Sequence, residues 1–379
     1  MTLINNFQEK FFKNFPDTVA VFFNYEHSKD AFVRYLLGRD IDCTLIILKN
    51  GSKNGNNKLL VSSRDYDQVL SYGLKNLEVI KDKKLKEVLV LDSKNKTSIG
   101  LNLDVISVNF YNKINQDYPN IIDLSEFCDS VREIKTPEEI QNIKKSCEIA
   151  DSILRETIKN FKKFVTELEA AEFINGLMKK LNVEPAFPTI IASGKNAAYP
   201  HHTPGKDKLR GFVVIDMGVK YNGYCSDITR TVYVGKPSKK EIEIYNVVLK
   251  SQESAIKKLK PGIKASEIDI ACRKILGEYE QYFIHSLGHQ FGIDVHESKG
   301  FRLHKTCEAP LKAGMLVTVE QGVYIPEKLG IRIEDDILIT EYGYEVITKT
   351  LKELIIIDNR SSGIKLPEKF ARALKERAK

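Results

Sequence analysis

Six of the seven histidines, His201, His202, His285, His289, His296 and His304, fall between residues 201 and 304, beside acidic residues set in otherwise apolar runs. Imidazole and carboxylate together serve general acid–base chemistry and divalent cations. The acids already have a geometry at this level. In the segment 212–234, FVVIDMGV and YCSDITRTVYV flank a loop centred on Asn222-Gly223, the strongest short hairpin signal. A hairpin closed there pairs Tyr221 with Tyr224 and Met217 with Ile228, which gathers Val213, Ile215, Met217 and Val219 on one apolar face. The other face carries Asp216 across from Thr229 and Asp227 across from Gly218, two carboxylates about 7–8 Å apart as diagonal neighbours. Such a pair repels unless a cation lies between its members; the alternative is two solvated hairpin acids. Downstream, alternation in LVTVEQGVY puts Thr318 and Glu320 opposite Val317 and Val319, and in GIRIEDDILIT it puts Arg332 and Glu334 opposite Ile331 and Ile333. Buried carboxylates need partners. A metal satisfies several at once, whereas Arg332 as an internal ion-pair partner serves only one.

These strands need elements to hold them. Thr136-Pro137-Glu138-Glu139 is a capping box with proline at the first helical position, opening a helix to about Lys162. Thr166-Glu167-Leu168-Glu169 starts a second helix ending near Leu181. Ser238 caps a third, stopped by Lys260-Pro261-Gly262, and Ser266 begins a fourth. Strands lie between them, so the region to about residue 358 is α+β. Before a boundary at 132–136, the runs VAVFF (19–23), CTLIIL (43–48), LLVSS (59–63), VLVLD (88–92) and ISVNF (106–110) read as strands. SKDAFVRYLLG and SRDYDQVLSYG read as helices between them, an α/β open sheet with covering helices. This half has no phosphate loop, and its single histidine is His27.

In chain order, Asp216 with Asp227, Gly288-His289 with His296, Glu320-Gln-Gly-Val-Tyr324 and Arg332-Ile-Glu334-Asp335 resemble the pita-bread metallopeptidases, the superfamily of methionine aminopeptidase, aminopeptidase P and prolidase. The resemblance covers about residues 132–350, and the first half is similar to the smaller domain that precedes the catalytic one in prolidase and aminopeptidase P. It implies an N-terminal α/β domain (1–132), a pita-bread catalytic domain (133–358) and a basic tail (359–379). It further implies a dinuclear site in which Asp216, Asp227, His289, Glu320 and Glu334 hold two divalent ions. A hard, oxygen-rich donor set of this kind suits Mn²⁺ or Co²⁺, with Fe²⁺ and Zn²⁺ as further candidates. By the same resemblance Glu320 moves the proton from the nucleophile to the leaving amine, and His201 and His296 stand beside the scissile bond. Arg332, His285 and Tyr324 belong to the substrate site. His202 and His304 are read as structural, and Cys225 as a small core residue.

The implied activity is hydrolysis of the Xaa-Pro bond from a free N-terminus, as an Xaa-Pro dipeptidase (prolidase). The alternatives are an aminopeptidase P acting on longer peptides and a non-catalytic binding module. Gln321 stands where the family has proline, and His289-Gln290-Phe291-Gly292 is more similar to aminopeptidase P and prolidase than to methionine aminopeptidase.

Composition removes other classes. The net charge of +7 over 379 residues is concentrated in residues 360–379, which carry +5 of it, so the rest of the chain is close to neutral and nucleic acid is not an expected partner. The six cysteines form no C-x-x-C pair, the N-terminus has no apolar core of a signal peptide, and no apolar run spans a bilayer. A cytoplasmic protein that does not bind membranes is expected, and a homodimer is implied by the resemblance.

Overall fold

The computed structural model describes residues 3–26, 28–49, 56–89 and 98–358, and the chain divides into two compact units, Met1–Arg132 and Glu133–Lys379. His27, most of the run at 88–92 and the basic tail lie outside the described residues. In the first unit, strands β1 (Thr18–Asn24), β2 (Cys43–Ile47), β3 (Asn57–Val61), β4 (Leu77–Lys81), β5 (Ser98–Leu101) and β6 (Ile121–Asp123) form one sheet in the order β4-β3-β2-β1-β5-β6. Helices α1 (Leu3–Asn14), α2 (Ala31–Leu37), α3 (Tyr66–Ser71), α4 (Leu85–Val88), α5 (Val108–Asp117) and α6 (Ser125–Arg132) accompany it. Two expected strands are corrected. ISVNF opens α5 instead: Ser107 accepts a hydrogen bond from the Phe110 amide at 3.3 Å, and Val108 is 74% exposed, so a local cap overrides the apolar run. Val88, the start of the other run, ends α4. Strands β4, β5 and β6 went unpredicted because they are short and β4 and β6 are largely half-exposed.

In the second unit, Thr136 caps α7 (Pro137–Asn160) through the full capping box, and Thr166 caps α8 (Glu167–Lys180). Ser238 and Glu241 form the box that opens α9 (Lys239–Lys258), and α10 (Ala265–Leu276) follows. Strands β7 (Glu184–Pro185), β8 (Ile190–Ser193), β9 (Gly211–Met217), β10 (Val219–Tyr221), β11 (Tyr224–Cys225) and β12 (Ile228–Val234) come before α9. Strands β13 (Gly288–Gln290), β14 (Glu297–Leu303), β15 (Leu316–Ile325), β16 (Leu329–Ile339), β17 (Tyr344–Val346) and β18 (Ile355–Ile357) come after α10. They form sheets of order β18-β12-β9-β8, β14-β13-β15-β16-β17 and a small β11-β10-β7. The hairpin register is the expected one, with Tyr221 opposite Tyr224, Met217 opposite Ile228 and Asp216 opposite Thr229.

Each large sheet turns an apolar face to helices. Val213, Ile215, Met217, Val219, Ile228 and Val232 pack with residues of α7 and α8. Val317, Val319, Val323, Ile331, Ile333 and Ile337 pack with residues of α9 and α10. The other faces meet along β12 and β16, where Thr231 Oγ1 donates to the Arg332 carbonyl at 2.9 Å and accepts from the Arg332 amide at 3.1 Å. This α+β arrangement, with an α/β unit before it, is the fold class expected. Among the described residues no helix is long and apolar enough to cross a membrane.

Candidate metal centre

Period-2 alternation delivers Asp216, Glu320 and Glu334 to the seam between the two sheets, and Asp227 joins them from the end of the hairpin. Asp216 on β9 and Asp227 just before β12 come from one sheet, and Glu320 and Glu334, directly opposite one another on β15 and β16, come from the other. His289 enters from β13, its amide held by Thr318 Oγ1 at 3.1 Å. His289 Nδ1 donates to the Gln290 carbonyl at 3.2 Å, so the proton sits on Nδ1 and the Nε2 lone pair faces Asp227 Oδ2 at 3.7 Å and Glu320 Oε1 at 3.5 Å. One ligand atom from each of Asp227, His289 and Glu334 lies within 4.8 Å of the others.

The electrostatics of this cluster are unbalanced. Four carboxylates face Arg332, with Arg302 farther out on the cavity wall: Arg332 donates from Nη2 to Asp216 Oδ2 at 2.6 Å, while Asp216 Oδ1 is buried with no hydrogen-bond partner among the described residues. Burial and the Glu334 charge push Asp227 well above the usual carboxylate range, and burial with the same neighbour pushes Glu320 up. Glu334 rises to about 8 through burial and Asp216. Burial and the nearby His296 hold His289 down at about 3, so its imidazole is neutral. An orphaned buried oxygen, a neutral imidazole with its lone pair turned inward and a surplus of buried negative charge fit divalent cations. Asp216, Asp227, His289, Glu320 and Glu334 are the residues able to hold them.

A cavity of about 760 Å³ opens over the cluster. It is lined by all five of these side chains together with His201, His285, His296 and Arg332, and also by Arg302, Phe187 and Ile284. His201 and His296 are exposed, and the His296 ring sits 4.2 Å from that of His289, centroid to centroid. Tyr324 stands behind the wall. Arg332 Nη1 donates to its hydroxyl at 2.7 Å, and the hydroxyl donates to His285 Nε2 at 3.0 Å, because the His285 proton sits on Nδ1, which donates to the Ser286 carbonyl at 2.7 Å. Burial and Arg332 lower His285 to about 4. His304 is outside the cavity, bonded to Thr306 Oγ1 at 2.8 Å. Cys225 is buried, and burial raises its thiol to about 12, which removes it as a nucleophile.

The sequence of residues 141–341 matches the model of metallopeptidase family M24, and residues 28–134 match the creatinase/prolidase N-terminal domain. The chain belongs to metallopeptidase family M24. It is 43% identical over 289 residues to an Xaa-Pro dipeptidase of Pyrococcus furiosus, an alignment spanning 74% of this chain and 81% of that protein. The structure of an Xaa-Pro dipeptidase from Bacillus anthracis superposes with a TM-score of 0.84 at 32% identity, over 94% of this chain and 99% of that one. An X-Pro aminopeptidase from Thermotoga maritima superposes at 0.80 and 30%, over 91% and 99%. The fold is therefore the pita-bread fold of the family, and the chain is a metallopeptidase that depends on divalent ions.

Several residues around these five side chains had no signal of their own in the sequence. Thr229 Oγ1 donates to Glu334 Oε2 at 2.6 Å and accepts from Arg332 Nε at 3.1 Å, fixing a carboxylate and the guanidinium together. Asp336 accepts the Asp227 amide at 2.9 Å. Alternation places Thr229 on the face of Asp216 and Asp336 on the face of Glu334, but nothing in the spacing says that they touch the site. Gln321, the departure from the family pattern, alternates onto the face of Val319 and Val323, away from Glu320 and Glu334. It displaces none of the five side chains, and its buried amide has no hydrogen-bond partner among the described residues.

Proposed function

We propose that this chain is a prolidase-type Xaa-Pro peptidase that releases the N-terminal residue, with Xaa-Pro dipeptides as its preferred substrates. The observation that carries the reading is the convergence of four carboxylates, one neutral imidazole and a buried arginine on a single cavity. Asp216, Asp227, His289, Glu320 and Glu334 hold two divalent cations, Mn²⁺ or Co²⁺ by the hardness of the donors. Such ions supply Lewis-acid activation of water and of the scissile carbonyl. Glu320, facing the cavity, accepts the proton of the attacking water and returns it to the leaving imino nitrogen. His201 and His296 donate to the developing oxyanion or to that nitrogen. For His296, exposed at the cavity mouth but partly stripped of water on its inner side, that desolvation and the nearby Arg302 charge favour the neutral ring, which still carries one N–H to donate. Arg332, held on three sides by Thr229, Tyr324 and Asp216, fixes the floor of the site toward the substrate's proline end. His285 and Tyr324 keep it there.

A dipeptide preference is supported by the dipeptidase relatives, and the aminopeptidase reading by the likeness to the X-Pro aminopeptidase of Thermotoga maritima. The test is metal-stripped protein reloaded with Mn²⁺ or Co²⁺ and assayed on Xaa-Pro against Xaa-Pro-Yaa. Cleavage of the dipeptide alone supports the proposal, preference for the tripeptide replaces it with the aminopeptidase reading, and no cleavage with any divalent ion overturns both. Six unpaired thiols fit a reducing compartment such as the cytoplasm. The homodimer that completes this reading is tested by sedimentation.

A further inference from the structure

Glu167, the first residue of α8, is read in the sequence only as part of a helix start. In the structure it is 0% exposed, and its carboxylate accepts four hydrogen bonds. Oε1 accepts from the Ser193 amide at 2.8 Å and from Asn196 Nδ2 at 3.0 Å. Oε2 accepts from His202 Nε2 at 2.8 Å and from the Gly205 amide at 3.1 Å. All four donors belong to the one segment 193–205, at its start, its middle and its end, so this segment is wrapped around a single buried anion. Among the described residues the only basic side chain on that anion is His202, 19% exposed and itself part of the cavity wall. The same segment carries Pro200, whose carbonyl accepts from Arg332 Nη2 at 3.4 Å, and His201.

We propose that Glu167 and His202 form a carboxylate–imidazole pair that positions His201 over the reacting bond. His202 is thus a positioning residue, adjacent in sequence to the group it aims. The loop's regular structure is one short 3-10 helix, Gly194–Ala198, which ends before His201, and His201 itself is exposed. The bond from His202 Nε2 to Glu167 fixes the residue next to His201, while Ser193, Asn196 and Gly205 fix the rest of the loop on the same carboxylate. Loss of the His202 donor frees the chain next to His201 while leaving three donors to hold the loop's overall path. This inference rests on the role given to His201 above.

The experiment is a double-mutant cycle in Mn²⁺-loaded full-length protein. H202A lowers kcat about 10- to 100-fold, the range set by misplacing a catalytic group by about 1 Å, with KM changed less than about twofold. H202Q, whose side-chain amide can donate to Glu167, recovers most of that loss. In the H201A background H202A has no further effect. E167Q, which keeps the shape of Glu167 but replaces two of its four acceptor positions by an N–H₂ group, behaves as H202A does or worse. The proposal is overturned by an H202A variant with wild-type kcat, by H202Q no better than H202A, or by losses that add in the double variant. If H201A is impaired while H202A is not, only this inference fails. If H201A itself has full activity, the role of His201 fails and takes this inference with it.

Discussion

Replacing Glu334 by glutamine should stabilise the metal-free protein, and by an amount that depends on pH. In the metal-free site burial and Asp216 raise Glu334 from the ordinary 4.5 to about 8. A carboxyl group raised in the folded state is protonated there while the unfolded chain has already lost its proton. Its full stability is therefore present below about pH 4.5 and is lost progressively as pH rises toward 8. The gap between the two values corresponds to about 5 kcal/mol at roughly 1.4 kcal/mol per tenfold. Asp227 and Glu320 are raised by the same cluster and share its protons, so removing one charge recovers about 2–5 kcal/mol. In E334Q the group no longer titrates, and the amide oxygen still accepts from Thr229. Metal-stripped E334Q and wild type should unfold alike at pH 5 in urea. At pH 8.5 E334Q should be the more stable by that margin, roughly 5–15 °C in a thermal scan. Excess Mn²⁺ should reverse the order at pH 8.5, because only the wild type keeps the ligand. An E334Q advantage that is the same at both pH values would refute the claim that unneutralised buried charge dominates the empty site.

Three further outcomes follow from the same geometry. Metal binding at pH 7 should release about one to three protons, since Glu334, Asp227 and Glu320 are raised in its absence while His289, lowered to about 3, is already neutral. Calorimetry in buffers of different ionisation enthalpy counts them, and release of none contradicts the shifts. R230A should cost about 3–5 kcal/mol in urea unfolding, because Asp335 loses a 2.6 Å partner and the carbonyls of Thr350, Leu351 and Glu334 lose their donor. G330A should cut activity more than about tenfold at unchanged metal content: a Cβ there collides with the Ala197 carbonyl and displaces the turn that leads to His201.

What the sequence could reveal was set by the range of the underlying physics. The hairpin closed at Asn222-Gly223 was legible because turn chemistry and alternation are local, and they alone place Asp216 across from Thr229. Helix starts at Thr136, Thr166 and Ser238 were legible for the same reason. Alternation assigned Glu320 and Glu334 to inward faces but could not pair them: Pro326 marks a turn, but the register of β15 with β16 depends on Glu327 adopting φ 57°, a left-handed position that a glutamate does not announce. ISVNF was misread because an apolar run of five residues fits a strand or a helix start equally well, and the cap at Ser107 decides it. Glu167 was hidden at a helix start, since nothing local says that four donors from a distant loop will close on it.

Glu334 and Asp335 show on adjacent residues why the seam reads as a cation site rather than a buried network. Both are almost fully buried, and strand alternation points them to opposite sides of β16. Burial raises both, but around Asp335 the protein has assembled its own cations. Arg230 at 2.6 Å and Lys352 at 2.9 Å, with Gln252 donating at 2.9 Å, pull it below the usual carboxylate range despite its depth. Among the described residues Glu334 has only a threonine hydroxyl and a guanidinium already committed to Asp216, and it rises to about 8. A fold able to neutralise one carboxylate so completely had the means to neutralise its neighbour. On that side of the strand it gathered Asp216, Asp227 and Glu320, with Asp336 farther along the same face, and an imidazole with its lone pair turned inward. Charge left uncompensated on one face only, 3.4 Å or so of strand from a face where it is fully compensated, marks the place where the compensating charge comes from outside the chain.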